Sequence, residues 1–370
     1  MHLGLIPDSP AEWKALASGR VPLPFLETHC AFGFAQAVLT ATKLGVFESL
    51  ASDAATATEI ASRCGTDPVS TPKLLSALVG SGYLCYRGDR YALTTNARTW
   101  LLRGSPRSLV DAVLFAGNEW DFMSHMENYV RTGMPLDIHY GMTDEQWDRY
   151  QRCMRALAGQ LANEVAQVLQ VPCGATDMVD VGGSHGRYSV ALCRRHHGLR
   201  AVVLDLPEAV RATAPLLAAE DMGRRVVHLE SDALTYDFGV DTYDVVLLSH
   251  LVHHFNASQN DELFARLGRA LRPCGVLAVL EPIRPETGDG VDQLAALNEL
   301  YFGVTSRAGI WTARDIGGWQ RDAGLQPAAE PIMLSDGRTG LQLATKPASQ
   351  PGSTGAAPGT VSPGTSDQPC

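Results

Sequence analysis

The segment that most constrains the fold is Val179-Asp180-Val181-Gly182-Gly183-Ser184-His185-Gly186, an apolar run that ends on glycines. From Thr176 onward, short apolar runs at 177–181, 201–205, 226–229, 245–248 and 276–280 alternate with amphipathic stretches. Strands alternating with helices predict an α/β fold, with a parallel-rich sheet covered on both faces. Ligands of such sheets sit beyond the carboxyl ends of the strands, where Gly182, Gly183 and Gly186 fall. Glycines there allow a tight turn and let backbone approach a ligand at a helix N-terminus. A dinucleotide fingerprint begun at Gly182 needs glycines at 184 and 187. Ser184 and Arg187 stand there instead, so a nicotinamide nucleotide is disfavoured.

Two acids further along narrow the ligand. Asp205 ends the second strand, where a carboxylate accepts both hydroxyls of a ribose. Asp232 follows the third strand, placed for an adenine amino group. With the glycine turn and both acids in this order, the expected ligand bears adenosine.

The N-terminal part has another pattern. Residues 1–30 are expected to form an arm or short helices. Helices are expected over 34–50, 58–64 (stopped by Gly65) and 72–79, then two short strands at 83–86 and 91–93 around Gly88. That is a winged-helix shape, yet its third helix offers only Lys73 as a base. The chain carries a formal net charge of −10, so nucleic acid is not an expected partner. Residues 106–172 read as helical and rich in aromatic and Met side chains, most of them core, with a subset, including Trp120 and Met154, available to line an apolar acceptor pocket. The Pro-, Gly- and Ser-rich tail after Lys346 is expected to be disordered. No apolar run has the roughly 18 residues of a membrane span, and no secretory start is evident. The eight cysteines are scattered without a Cys-x-x-Cys pair, as expected for free thiols in a reducing cytoplasm.

Several segments together resemble the small-molecule O-methyltransferases, the family of the caffeic acid and hydroxyindole enzymes and of bacterial polyketide-tailoring relatives. The resemblance covers roughly residues 30–345. It rests on Val179 to Gly186, Leu204-Asp205-Leu206-Pro207, Leu251-Val252-His253 and Leu280-Glu281-Pro282. It also takes in the Asp-Arg-Tyr…Met segment at 148–154 and Trp311-Thr312…Ala323-Gly324-Leu325. It implies a class I methyltransferase Rossmann-like domain at 173–346, a helical connector at 106–172 and a winged-helix-like dimerisation domain at 1–105, leaving 347–370 as tail. A homodimer follows, each dimerisation domain closing its partner's pocket. The implied cofactor is S-adenosyl-L-methionine, held by Asp180, Gly182, Gly183, Ser184, Gly186, Asp205, Leu206, Asp232, Ala233 and Ser249. His253 matches the general base and Glu281 the acid that orients it, while Met154, Trp120, His254 and Asn298 are assigned to the acceptor side.

The sequence also departs from the family. His254 and Asn298 stand where Asp is usual, Phe255 where Trp is usual, and Ala233 where a larger apolar residue packs on adenine. Ser184 replaces a glycine, a mild change if that position does not need positive φ. Ile310 occupies the place of a second acid beside the base, leaving Glu281 as its only carboxylate.

The chemistry asked of these residues is limited. A sulfonium is already a strong methyl donor, so the protein must position an acceptor and remove its proton. A phenol titrates near pH 10 and an imidazole near 6.5; a neutral His close by takes the proton as methylation acidifies the hydroxyl. A carboxylate on the far ring nitrogen sets the tautomer. His250 and His254 would share a face for a metal ion if the segment were helical, but no third ligand is evident locally and no metal is expected. The expected reaction is O-methylation of an aromatic or enolic hydroxyl in secondary metabolism. C-methylation of an activated carbon, a rearrangement that leaves the cofactor unspent and a winged-helix regulator are the alternatives.

Overall fold

The computed structural model describes residues 4–284, 292–306 and 308–348, so the expectation for the tail lies almost wholly outside the described residues. Helix α1 (Pro10–Ala17) opens on a capping box, Ser9 and Glu12 each accepting the other's backbone N–H. Helix α2 (Leu23–Lys43) starts earlier than the apolar pattern suggests, because Pro24 in its first turn is compatible with a helix start. The same apolar stretch is broken at Gly45, whose φ of +74° ends one helix and starts the short α3 (Val46–Ser49). Helices α4 (Ala57–Cys64), stopped by left-handed Gly65, and α5 (Thr71–Gly80) then pack with the hairpin of β1 (Leu84–Arg87) and β2 (Arg90–Leu93). Phe47, Ile60, Leu75, Leu78 and Leu84 make the core of this unit.

Helix α6 (Thr95–Trp100) leads to a roof built from α7 (Val110–Met123), α8 (Met126–Thr132) and the long α9 (Asp144–Val168). A single 3-10 turn, Ile138–Tyr140, joins α8 to α9.

The second half is the expected α/β unit. Strands β3 (Asp177–Val181), β4 (Arg200–Asp205), β5 (Val226–Glu230), β6 (Tyr243–Ser249) and β7 (Leu271–Pro282) are parallel, in the order β5-β4-β3-β6-β7. Three C-terminal strands were not anticipated from the sequence: β8 (Gln326–Pro327), β9 (Ile332–Met333) and β10 (Thr339–Thr345), the last antiparallel to β7. Helices α10 (Arg187–Arg195) and α11 (Pro207–Ala218) cover one face with α9, while α12 (Ala257–Ala270) and α14 (Ala313–Asp322) cover the other. Helix α13 (Gln293–Thr305) crosses under the roof.

Alternation along each strand explains the continuous apolar runs. Met178 packs under α9 and α10, and Val179 under α12 and α14, so both faces are buried. The order of connection reverses between β3 and β6, which opens a crevice at their carboxyl ends.

Candidate active site

The glycine turn lies at that reversal. Gly182 has φ +69°, and a Cβ there would come 2.7 Å from a methyl of Leu251. A Cβ on Gly183 would run into the carboxyl group of Asp180. Asp180 is fully buried and accepts a 2.7 Å hydrogen bond from Ser189 Oγ, while its other oxygen, Oδ1, has no protein partner. Burial pushes its carboxyl up to about 7, against the Ser189 hydrogen bond and with a further push from Asp205.

Ser184 overturns the mild reading of the Gly-to-Ser change. Its φ is +48°, so the position does require the left-handed region. The side chain has found a compensation: Ser184 Oγ donates to Gln151 Oε1 of α9. His228 Nε2 donates to the Ser184 carbonyl at 2.8 Å, which pins the turn from the β5 side.

Asp205 accepts the Leu206 N–H at 2.8 Å through one oxygen, and burial raises its carboxyl to about 6 despite that bond and one from the Ser184 backbone. Asp232 uses one oxygen to cap its own turn on Leu234 N–H at 2.8 Å. Ala233 is buried, its carbonyl held at 2.9 Å by Arg266, and Ser249 is buried at the end of β6. Gly186 starts α10. The expected cofactor residues therefore meet along the ends of β3, β4, β5 and β6.

The base-side residues come from the next loop and strand. His250 has φ +52° and donates its N–H to Leu280 at 2.8 Å; only Val252–His254 forms a 3-10 turn. His250 and His254 thus do not share a helical face, and the geometric premise of a metal pair fails. Among the described residues no group of three His, Cys, Asp or Glu is arranged to hold a metal.

His253 and Glu281 are both buried, and His253 Nδ1 lies 2.7 Å from Glu281 Oε2. The other carboxylate oxygen accepts the Val252 N–H at 2.8 Å. Burial alone would raise the Glu281 carboxyl. The charge and hydrogen bond of His253, then His250 and the Val252 N–H, bring it below its ordinary value. The Val252 carbonyl is held by Asn260 Nδ2 and Trp311 Nε1, both at 3.0 Å, so the turn carrying His253 is clamped on both sides. Ile310, beside Trp311, is buried.

Aromatic rings surround His253. Phe302 of α13 lies 4.0 Å away between ring centroids and His254 4.1 Å away. His254 Nδ1 is 2.8 Å from Ser306 Oγ. His139, from the turn between α8 and α9, meets His254 edge-on at 4.5 Å and also faces Tyr150 and Trp147. Burial and the neighbouring charge of His253 hold His254 well below its ordinary value and His139 at about 4, so both stay neutral. The sequence reading missed His139, since a lone His in a non-periodic turn gives no signal of its own.

The remaining acceptor-side candidates divide. Asn298 is half-buried one turn before Phe302 on α13, and Met154 is half-buried one turn after Tyr150 on α9. Trp120 is 38% exposed and packs edge-on against Phe32 of α2 at 4.8 Å.

A glycine cradle with an unpartnered buried acceptor beneath it, a carboxylate at the next strand end, and an imidazole–carboxylate pair beside them define an adenosine-cofactor transferase. The O-methyltransferase domain matches residues 107–324, and the O-methyltransferase dimerisation domain matches residues 26–103. The chain belongs to the O-methyltransferase family and is an S-adenosylmethionine-dependent enzyme. It is 29% identical over 341 residues to 3-hydroxy-5-methyl-1-naphthoate 3-O-methyltransferase of Streptomyces sahachiroi, covering 87% of this chain and 95% of that one. It is also 29% identical over 282 residues to the acetylserotonin O-methyltransferase of Bos taurus, covering 70% and 79% respectively. Human N-acetylserotonin methyltransferase in complex with SAM superimposes with a TM-score of 0.77 at 18% identity, over 93% of this chain and 100% of that one. The methyl acceptor is a small molecule, and the N-terminal domain supports a homodimer.

Proposed function

We propose that the protein methylates a hydroxyl of an aromatic or enolic small molecule, with His253 as general base and Glu281 as the residue that holds it. The observation that carries this reading is the buried 2.7 Å contact between His253 Nδ1 and Glu281. An ionised carboxylate can only accept, so the proton sits on Nδ1 and Nε2 is left as the basic atom. The second Glu281 oxygen is already spent on Val252 N–H, which stops the carboxylate from rotating.

When bound, S-adenosylmethionine supplies an electrophilic methyl group on a sulfonium. The cradle at Gly182 and Gly183, the free oxygen of Asp180 and the Asp205 carboxylate fit such a molecule. Asp205 would accept from the ribose and Asp232 from the adenine amino group, with Leu206, Ala233 and Ser249 flanking. On the acceptor side, His253 Nε2 takes the hydroxyl proton and Glu281 stabilises the imidazolium that results. His254 and His139, held neutral, add no like charge to oppose that imidazolium. Phe302, Tyr150 and Trp147 offer the flat apolar surface that an aromatic acceptor needs.

No helix among the described residues is long and apolar enough to cross a membrane. Free thiols at Cys153 and Cys193 support a reducing, cytoplasmic setting.

The decisive experiment is mass spectrometry and NMR of products formed from S-adenosylmethionine and a panel of phenols, enols and keto acids. The expected product carries a new O-methyl group with one equivalent of S-adenosylhomocysteine. A new carbon–methyl bond, or product without that by-product, would overturn the reading.

A further inference from the structure

Away from the cofactor crevice, a cleft of about 200 Å³ opens between the 103–108 segment, α9 and the start of α10. Four guanidinium groups line it, those of Arg103, Arg152, Arg155 and Arg187, in a chain whose net charge is −10. Two of them are matched by single acids: Arg103 pairs with Asp111 at 3.1 Å and Arg152 with Asp148 at 2.8 Å.

The other two are not. Arg155 and Arg187 both donate to the same oxygen of Glu220, at 2.7 and 2.8 Å, and Arg194 reaches its other oxygen at 3.1 Å. Three positive charges thus share one buried carboxylate; Arg194 lies outside the cleft lining, so Arg155 and Arg187 leave one positive charge in excess at the back of the cleft. The Nε of Arg155 is buried and has no partner at all. A guanidinium carries five donors, and each of these arginines spends few of them on its acid. His185 is held at about 3, first by burial and then by the charges of Arg155 and Arg187.

We propose that this cleft binds a tetrahedral oxyanion such as a phosphate group, with Arg155 and Arg187 as the central donors and Arg103 and Arg152 at the rim. Guanidinium forks match tetrahedral oxyanions bidentately, and the cleft holds more arginines than acids to pair with them. Arg187 is the first residue of α10, directly after Gly186.

The test is calorimetric titration of the full chain with inorganic phosphate, with glycerol 3-phosphate in parallel and chloride at matched ionic strength as reference. Saturable one-to-one binding is expected, weakened at least about tenfold in Arg155→Gln and in Arg103→Gln. The second variant alters an exposed side chain and guards against misfolding in the first; both are checked by thermal melting and by S-adenosylmethionine binding. Arg131→Gln, at a distant exposed pair with Glu127, is expected to bind like wild type. Binding of the ester alone would identify a phosphorylated metabolite as the ligand. No saturable binding of either, equal binding in both variants, or the same heat from chloride would overturn the proposal.

Discussion

His253 touches a carboxylate on one side and aromatic rings on the other, so its two nitrogens face different demands. Replacing it with Ala is expected to leave cofactor affinity within a few-fold by calorimetry and to lower turnover by about 10²–10⁴-fold. Glu281→Gln keeps the shape but cannot stabilise an imidazolium; a loss of about 100-fold or more, seen in kcat rather than KM, is expected. Asp205 gives two pH signatures of opposite sign. Its carboxyl is raised to about 6, and ribose hydroxyls need it ionised. Cofactor affinity should be nearly flat above pH 7 and fall roughly tenfold between pH 7 and pH 5. For folding alone the sign reverses. A folded-state value above the unfolded one means the native state holds the extra proton, so this group's contribution declines as pH rises from about 4 to 6. Cofactor titrations across pH 5–8 with matched melting curves would separate the two.

The glycine turn is the element on which the cofactor site depends, and Gly183 and Ser184 make different predictions. Gly183→Ala drives a methyl into the buried Asp180 carboxyl, and an overpacking cost of about 1–3 kcal/mol with loss of cofactor binding is expected from melting and calorimetry. At Ser184 two effects oppose. A left-handed backbone costs a non-glycine residue about 1–2 kcal/mol. The bond to Gln151 returns about 1 kcal/mol. Ser184→Gly should therefore leave the melting temperature nearly unchanged, whereas Ser184→Ala keeps the strain, loses the bond and should lower it. At this scale the sequence was informative wherever local chemistry decides. The glycines, the strand-end acids and the Gly65 stop were all visible. The start of α2 was not, since Pro24 reads as a breaker until its place in the first turn is known. Strands β8, β9 and β10 were also missed: β8 and β9 have two residues each, and the pairing of β10 with β7 is non-local.

For the whole molecule, the alternation of strands and helices predicted the parallel part of the sheet. What the chain could not disclose was which side chains meet across it. His139 lies 114 residues before His253, and only the closure of the roof brings it to His254. Trp120 likewise meets Phe32 of α2, 88 residues earlier in the chain. That helix leaves Phe25 61% exposed and Phe32 55% exposed, an apolar surface suited to a second subunit. Phe25→Asp is accordingly expected to shift the protein from dimer to monomer in light scattering, with the monomer's fold intact by circular dichroism.

Glu281 has a further neighbour besides His253 and Val252: in the antiparallel pairing it stands opposite Gly340 of β10. A single-residue slip of that pairing would favour the opposite facing of every side chain on the displaced strand. A chain shortened before Thr339 would still encode His253, Glu281 and every cofactor residue, yet β7 would become an edge strand with nothing to hold its register on that side. Catalytic competence is therefore acquired only when β10 has docked on β7.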